Sequence, residues 1–230
     1  GPKAAFSAFW AVIFVVGPGF FLPIEQEVGR AIAHRRAMGQ GSRPLVVKAF
    51  KLGVAITIVL IVLALAFSPI LGHQIYRNDQ TFTLALVLSL VAFFLVSLAK
   101  GVLAGEGRFR PYGELLAIDG IVRLALAIGL ASAGVGKAGL YALCIGMSML
   151  VALPVAWRGQ RTILQPGPDA PLRELSANLG WLLAGSVLMQ ALAYSSLLGV
   201  NILGAHSDEV IVAGFASAFF IARIPVLAFQ

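Results

Sequence analysis

Asp119 and Arg123 are the only charged residues in the stretch 115–135. An acid four residues before a base is the favoured pairing order on a helix. Two kinds of chemistry fit it. The pair either neutralises itself, lowering the cost of entering an apolar medium, or offers a carboxylate and a guanidinium to a proton or an anionic substrate. Arg223 is a different case. Its neighbours at three and four residues, Phe219, Phe220, Val226 and Leu227, are all apolar, so a helix gives it no local counter-ion. A lone arginine in such a setting is expected to face a watery cavity or a charge on another helix. At ~1.5 Å per residue, Arg123 and Arg223 reach similar depths, about a third of the way through a ~30 Å apolar layer. The expectation is that both line one central cavity.

Two further groups are candidates. Ser186, Gln190, Tyr194 and Asn201 fall within about 80° of one another at 100° per residue. They form a polar stripe that serves either interhelical hydrogen bonding or the lining of a cavity. Earlier in the chain, Gly17, Pro18, Gly19 and Pro23 precede Glu25, Gln26, Glu27 and Arg30. The prolines predict a kinked or broken helix. The charged cluster after them reads either as a solvated helix end with a Glu27–Arg30 pair, or as a carboxylate gate or ion site on a mobile helix.

Other chemistries find little support. His34, His73 and His206 have no ligand spacing, and Cys144 is the single cysteine, so neither a metal cluster nor an internal disulfide is expected. The run 134–139, GVGKAG, matches a dinucleotide-binding pattern but lies in a turn between apolar segments rather than after a strand. The run 101–105, GVLAG, matches a helix-dimer motif and reads as close packing at the end of a segment. No Ser/His/Asp set is apparent.

The elements that must position these residues are apolar helices. The stretch 4–24 has 21 residues without a charge, 52–71 has 20, 82–99 has 18, 138–157 has 20 and 176–205 has 30. Crossing a ~30 Å hydrocarbon core takes ~20 helical residues. Apolar residues make up 59% and charged residues 12%, against about 25% charged in soluble domains. The fold class is therefore an all-α, polytopic transmembrane bundle. Seven spans are read, at 4–24, 46–71, 82–103, 115–135, 138–157, 175–203 and 210–230.

The net charge of +7 does not indicate nucleic acid, because no basic stripe lies on a soluble face. It indicates topology. Twelve basic residues fall in the loops and flanks on one side: Arg30, Arg35, Arg36, Arg43, Lys48, Lys51, Lys100, Arg108, Arg110, Arg158, Arg161 and Arg173. Only Lys3, Arg77 and Lys137 fall on the other. The basic side is expected to be cytoplasmic, in a bacterial plasma membrane. The proline-containing connection 158–173 reads as a cytoplasmic linker between a first lobe, 1–157, and the start of a second, 174–230. A weak likeness between 6–18 and 216–225 fits a parallel repeat. The absence of an initiating methionine and of a polar tail after the last span suggests a fragment, with a span missing before it and several after.

Three segments carry a resemblance: GPGFFLPIEQEVGRAIAHRR, KGVLAGEGRFRPYGELLAIDGIVRL and the closing FFIARIPVLAFQ. They resemble polysaccharide and oligosaccharide-lipid flippases of the multidrug/oligosaccharidyl-lipid/polysaccharide exporter superfamily. That resemblance implies a two-lobe transporter of which this chain is similar to the second to eighth spans. It implies alternating-access movement of a lipid-linked glycan, membrane lipids and that glycan as partners, and no enzymatic activity. It also places Glu25, Gln26, Glu27, Arg30, Arg108, Phe109 and Arg110 in family-like motifs. On physical grounds Arg123 and Arg223 are the candidates for the anionic head group, with Gln190, Tyr194 and Asn201 lining its path, since guanidinium binds phosphate oxygens in pairs. Glu25, Glu27, Arg30 and Asp119 are the candidates for ion coupling or gating. No cofactor is expected beyond a coupling proton or sodium ion, and the oligomeric state stays open.

Rival functions are a cation-coupled multidrug exporter of the same superfamily, a membrane enzyme of glycan assembly, and a scaffold that binds lipid-linked glycan without moving it. Two arginines against one aspartate within the spans favour an anionic substrate over a cationic drug.

Overall fold

The computed structural model describes residues 2–74, 79–160, 163–171, 173–176 and 179–203, with short pieces at 214–215, 217–219 and 221–222. The described residues are helical and connecting segments, with no strand. The helices are α1 (Pro2–Ala37), α2 (Arg43–Gln74), α3 (Gln80–Gly105), α4 (Phe109–Ser132), α5 (Ala138–Ala156), the single turn α6 (Arg173–Ser176) and α7 (Leu179–Leu203). Five of them contain segments long and apolar enough to cross a membrane: Ala5–Ala37, Arg43–Ser68, Gln80–Gly105, Phe109–Ser132 and Leu179–Leu197. The chain is a multi-pass helical membrane protein. Helix α5 is shorter, at 19 residues, or ~28 Å.

Several expected boundaries move. Helix α1 runs unbroken through Pro18 and Pro23 to Ala37, so of the expected kink or break, the break does not occur. Each proline removes one donor, but helical φ suits its ring, and the packed neighbours of α1 hold the turn together. Helix α4 begins at Phe109, six residues before the expected span. Within the expected span 175–203 the described residues are helical, as α6 and α7, and 177–178 lie outside the described residues. Most of the expected seventh span lies outside the described residues.

Helix α3 is the central element. It packs against α1, α2 and α5, while α4 leans on α5 and α7 lies along α1. Burial follows this order: α3 is the most buried of the long helices and α4 the least. The backbones of α1 and α3 approach closely. A Cβ added at Gly101 would lie 2.7 Å from the Glu25 carbonyl oxygen, and one at Gly105 would lie 2.7 Å from Ile32 Cβ and 2.8 Å from the Gly29 carbonyl oxygen. The small-residue motif on α3 is thus a docking face for α1, as close packing requires. Phe9, Phe21, Phe82 and Phe94 fill the wider parts of the same core. The turns after α1 and α3 use glycines in the left-handed region, Gly39 at φ 67° and Gly107 at φ 69°.

Candidate functional site

The close approach of α1 to α3 brings charge partners together at the basic end of the bundle. Lys100 Nζ on α3 lies 2.8 Å from Glu25 Oε2. The Tyr112 hydroxyl, on the first turn of α4, donates to Glu25 Oε1 at 3.2 Å. The ammonium also sits 5.6 Å from the Tyr112 ring centroid, within reach of a cation–π contact. Both charged side chains are mostly buried, Glu25 at 12% exposure and Lys100 at 18%. One carboxylate therefore ties three helices.

Glu27 does not join this group. Two residues apart on an intact helix are 200° apart in direction, so Glu25 and Glu27 leave α1 on opposite sides. The acidic cluster expected from the sequence is divided because the helix does not break at Pro23. Glu27 instead pairs with Arg30, whose Nη2 lies 2.6 Å from Glu27 Oε2. The same Nη2 donates to the Glu174 carbonyl oxygen at 2.9 Å.

One turn further on, Arg35 is fully buried and saturated. Its Nε and Nη2 donate to the two carboxylate oxygens of Glu174 at 2.8 and 3.1 Å. Its remaining donors reach the carbonyls of Gly41, Pro168 and Asp169 at 3.2, 2.9 and 3.0 Å. All five N–H groups of the guanidinium have acceptors. Lys48 holds Asp169 at 2.8 Å and also donates to the Ala170 carbonyl. Ser42 donates to Glu106 Oε1 at 2.6 Å. The hydrogen bond from Arg35 holds the Glu174 carboxyl below its ordinary range, and the one from Lys48 does the same for Asp169. The connection after α5 is thus strapped across the ends of α1 and α2.

Asp119 and Arg123 form the pair their spacing predicts, with Nη2 to Oδ2 at 2.6 Å. Ser148 on α5 completes it. Its hydroxyl donates to Asp119 Oδ1 at 2.6 Å and accepts from Arg123 Nε at 3.3 Å. The pair sits on the face of α4 that meets α5, and Arg123 is 26% exposed. Its Nη1 has no acceptor among the described residues.

The stripe on α7 faces α1. Ser186 donates to the Pro18 carbonyl at 3.4 Å. Tyr194 is buried, with its ring 6.2 Å from that of Phe14 and 5.7 Å from that of Phe219. Gln190, one turn from each, is half-buried. The side chain of Asn201 lies outside the described residues, as does Arg223, and with it the expected pairing of depths with Arg123. Among the described residues no three metal-ligating side chains converge.

Sequence reasoning missed Lys100, Tyr112, Arg35, Glu174 and Ser148 as partners. Lys100 and Arg35 were legible only as loop charge. Ser148 carried one weak signal, the single serine in the apolar stretch 138–157.

Comparison with known proteins adds relatives without a function. Two uncharacterized proteins of Mycobacterium tuberculosis, Rv1510 of strain H37Rv and MT1558/MT1560 of strain CDC 1551, are each 29% identical over 227 residues, covering 92% of this chain and 51% of theirs. The chain spans about half the length of these curated relatives. No family model matches, and no solved structure matches.

Proposed function

We propose that this chain is part of a transporter that moves a lipid-linked oligosaccharide or polysaccharide precursor across the plasma membrane by alternating access. The observation that carries the reading is Arg123, an arginine within an apolar span that keeps an N–H group without an acceptor among the described residues after pairing with Asp119 and Ser148. A guanidinium anchored through two of its nitrogens still presents a donor, and a pyrophosphate-linked sugar supplies the matching acceptor oxygens. The anchoring removes the cost of a lone intramembrane charge. The tail of such a substrate stays in lipid while only its head group needs the polar site. Glu25, held between Lys100 and Tyr112 at a three-helix junction, is the proposed coupling or gating carboxylate.

The test deletes the gene in its host and quantifies lipid-linked glycan on the cytoplasmic leaflet. Accumulation that is relieved by the wild-type gene but not by Arg123→Ala supports the reading. Unchanged glycan with altered drug tolerance assigns the protein to the multidrug exporters instead.

A further inference from the structure

Helices α2 and α5 both lean on α3, and a cleft of about 480 Å³ opens between them at the basic end. It is lined by Leu95, Leu98 and Val102 of α3, Phe50 of α2, Trp157, and Leu164 of the strapped connection. The lining has one charged member, Lys51. The size falls in the ~300–1,000 Å³ range of small-ligand sites. A lining this apolar gives ordered water no partners, so it does not stay filled with water.

The charge at its mouth is one-sided. Arg43, Val47 and Lys51 follow one another at four-residue steps along the outer face of α2, and all three are exposed. Arg43 therefore lies ~12 Å beyond Lys51 towards the basic end. Arg158 is exposed immediately after Trp157. Lys51, Arg43 and Arg158 have no carboxylate partner among the described residues. The nearby acids are already engaged, Asp169 by Lys48 and Glu106 by Ser42. An apolar slot topped by unpaired cations, with a tryptophan at the rim, matches an acyl chain carrying an anionic head group at the membrane interface.

We propose that this cleft is a binding site for an anionic phospholipid of the cytoplasmic leaflet, its acyl chain on Leu95 and Leu98 and its phosphate on Lys51, whose side chain leans towards the basic end of α2. Arg43 and Arg158 flank the phosphate. The site is separate from Asp119 and Arg123 and does not depend on the transport reading.

Trp157 reports on the occupant directly. The intact protein is reconstituted in phosphatidylcholine vesicles containing a minor fraction of phosphatidylglycerol, with bromine on the acyl chains of one lipid class or the other. The signal is the quenchable emission that disappears in Trp157→Phe. Brominated phosphatidylglycerol is expected to quench it well beyond its share of the bilayer. Lys51→Gln should lower that preference roughly fivefold, the effect of ~1 kcal/mol for one cation near the surface, and Lys51→Glu should lower it further. Lys51 is exposed, so neither change threatens the fold. Quenching in proportion to bulk composition would mean ordinary annular lipid and overturn the proposal. So would a preference that survives both substitutions, or no quenching by either lipid, which would mean that protein covers the cleft.

Discussion

Arg35 grips Glu174 through two hydrogen bonds, at 2.8 and 3.1 Å, at a sequence separation of 139. The guanidinium is 2% exposed and the carboxylate 33%. This contact fixes where the chain goes after α5, since the connection cannot swing free while its far end is pinned to α1.

Arg35→Ala is expected to be strongly destabilising, because it leaves Glu174 and three backbone carbonyls without their donor. Breaking a buried pair costs ~3–5 kcal/mol, and the partial exposure of Glu174 puts this case at the lower end. Glu174→Gln keeps an acceptor but leaves the buried Arg35 guanidinium without its counter-charge, so it should cost a comparable ~3 kcal/mol. Thermal unfolding in detergent measures both, and a loss below ~1 kcal/mol from either would show that the pair does not hold the strap.

The strap should also loosen in acid. Glu174 and Asp169 both have folded-state pKa values lowered by their cationic partners. Their contribution is fully present above the ordinary carboxylate value of ~4 and is lost as pH falls through the lowered folded values. Limited proteolysis of 163–171 with an acid-active protease should be slow at pH 5 and speed up below about pH 4. Glu174→Gln should flatten that profile.

Asp119→Ala should impair assembly more than the double change Asp119→Ala with Arg123→Leu. The single change strands an arginine in the apolar layer, at up to ~2.5–3.5 kcal/mol on insertion scales, whereas the double change removes both charges. Ser148→Ala should cost only ~0.6 kcal/mol, the average interhelical hydrogen bond in a membrane. The yield of folded protein ranks the three variants, and a double variant worse than the single would reject the neutralised-pair account.

Gly101→Leu should separate α1 from α3, because even the first side-chain carbon would meet the Glu25 backbone. Overpacking of this kind costs ~1–3 kcal/mol. Thermal unfolding in detergent should show a loss of that size in Gly101→Leu. Unchanged stability would show that the interface yields without separating.

The all-helical membrane class, the division of charge between the two ends, the Asp119–Arg123 pair and the Glu27–Arg30 pair could all be read from the chain alone. Each depends on hydropathy or spacing over a few turns, and the sequence carries that information locally. Tertiary structure decided which charges meet. Glu25 finds Lys100 75 residues away because Gly101 and Gly105 let α1 and α3 approach closely. Arg35 reads as one loop charge among twelve until the strap folds over it. Asp119 and Arg123 acquire Ser148 only because α4 leans on α5. Helical periodicity assigns a residue to a face, but which helix covers that face depends on packing between segments far apart in the chain. Glu25 and Glu27 show the limit most clearly: two residues apart in sequence and alike in charge, they were placed on opposite sides by a helix that stayed intact.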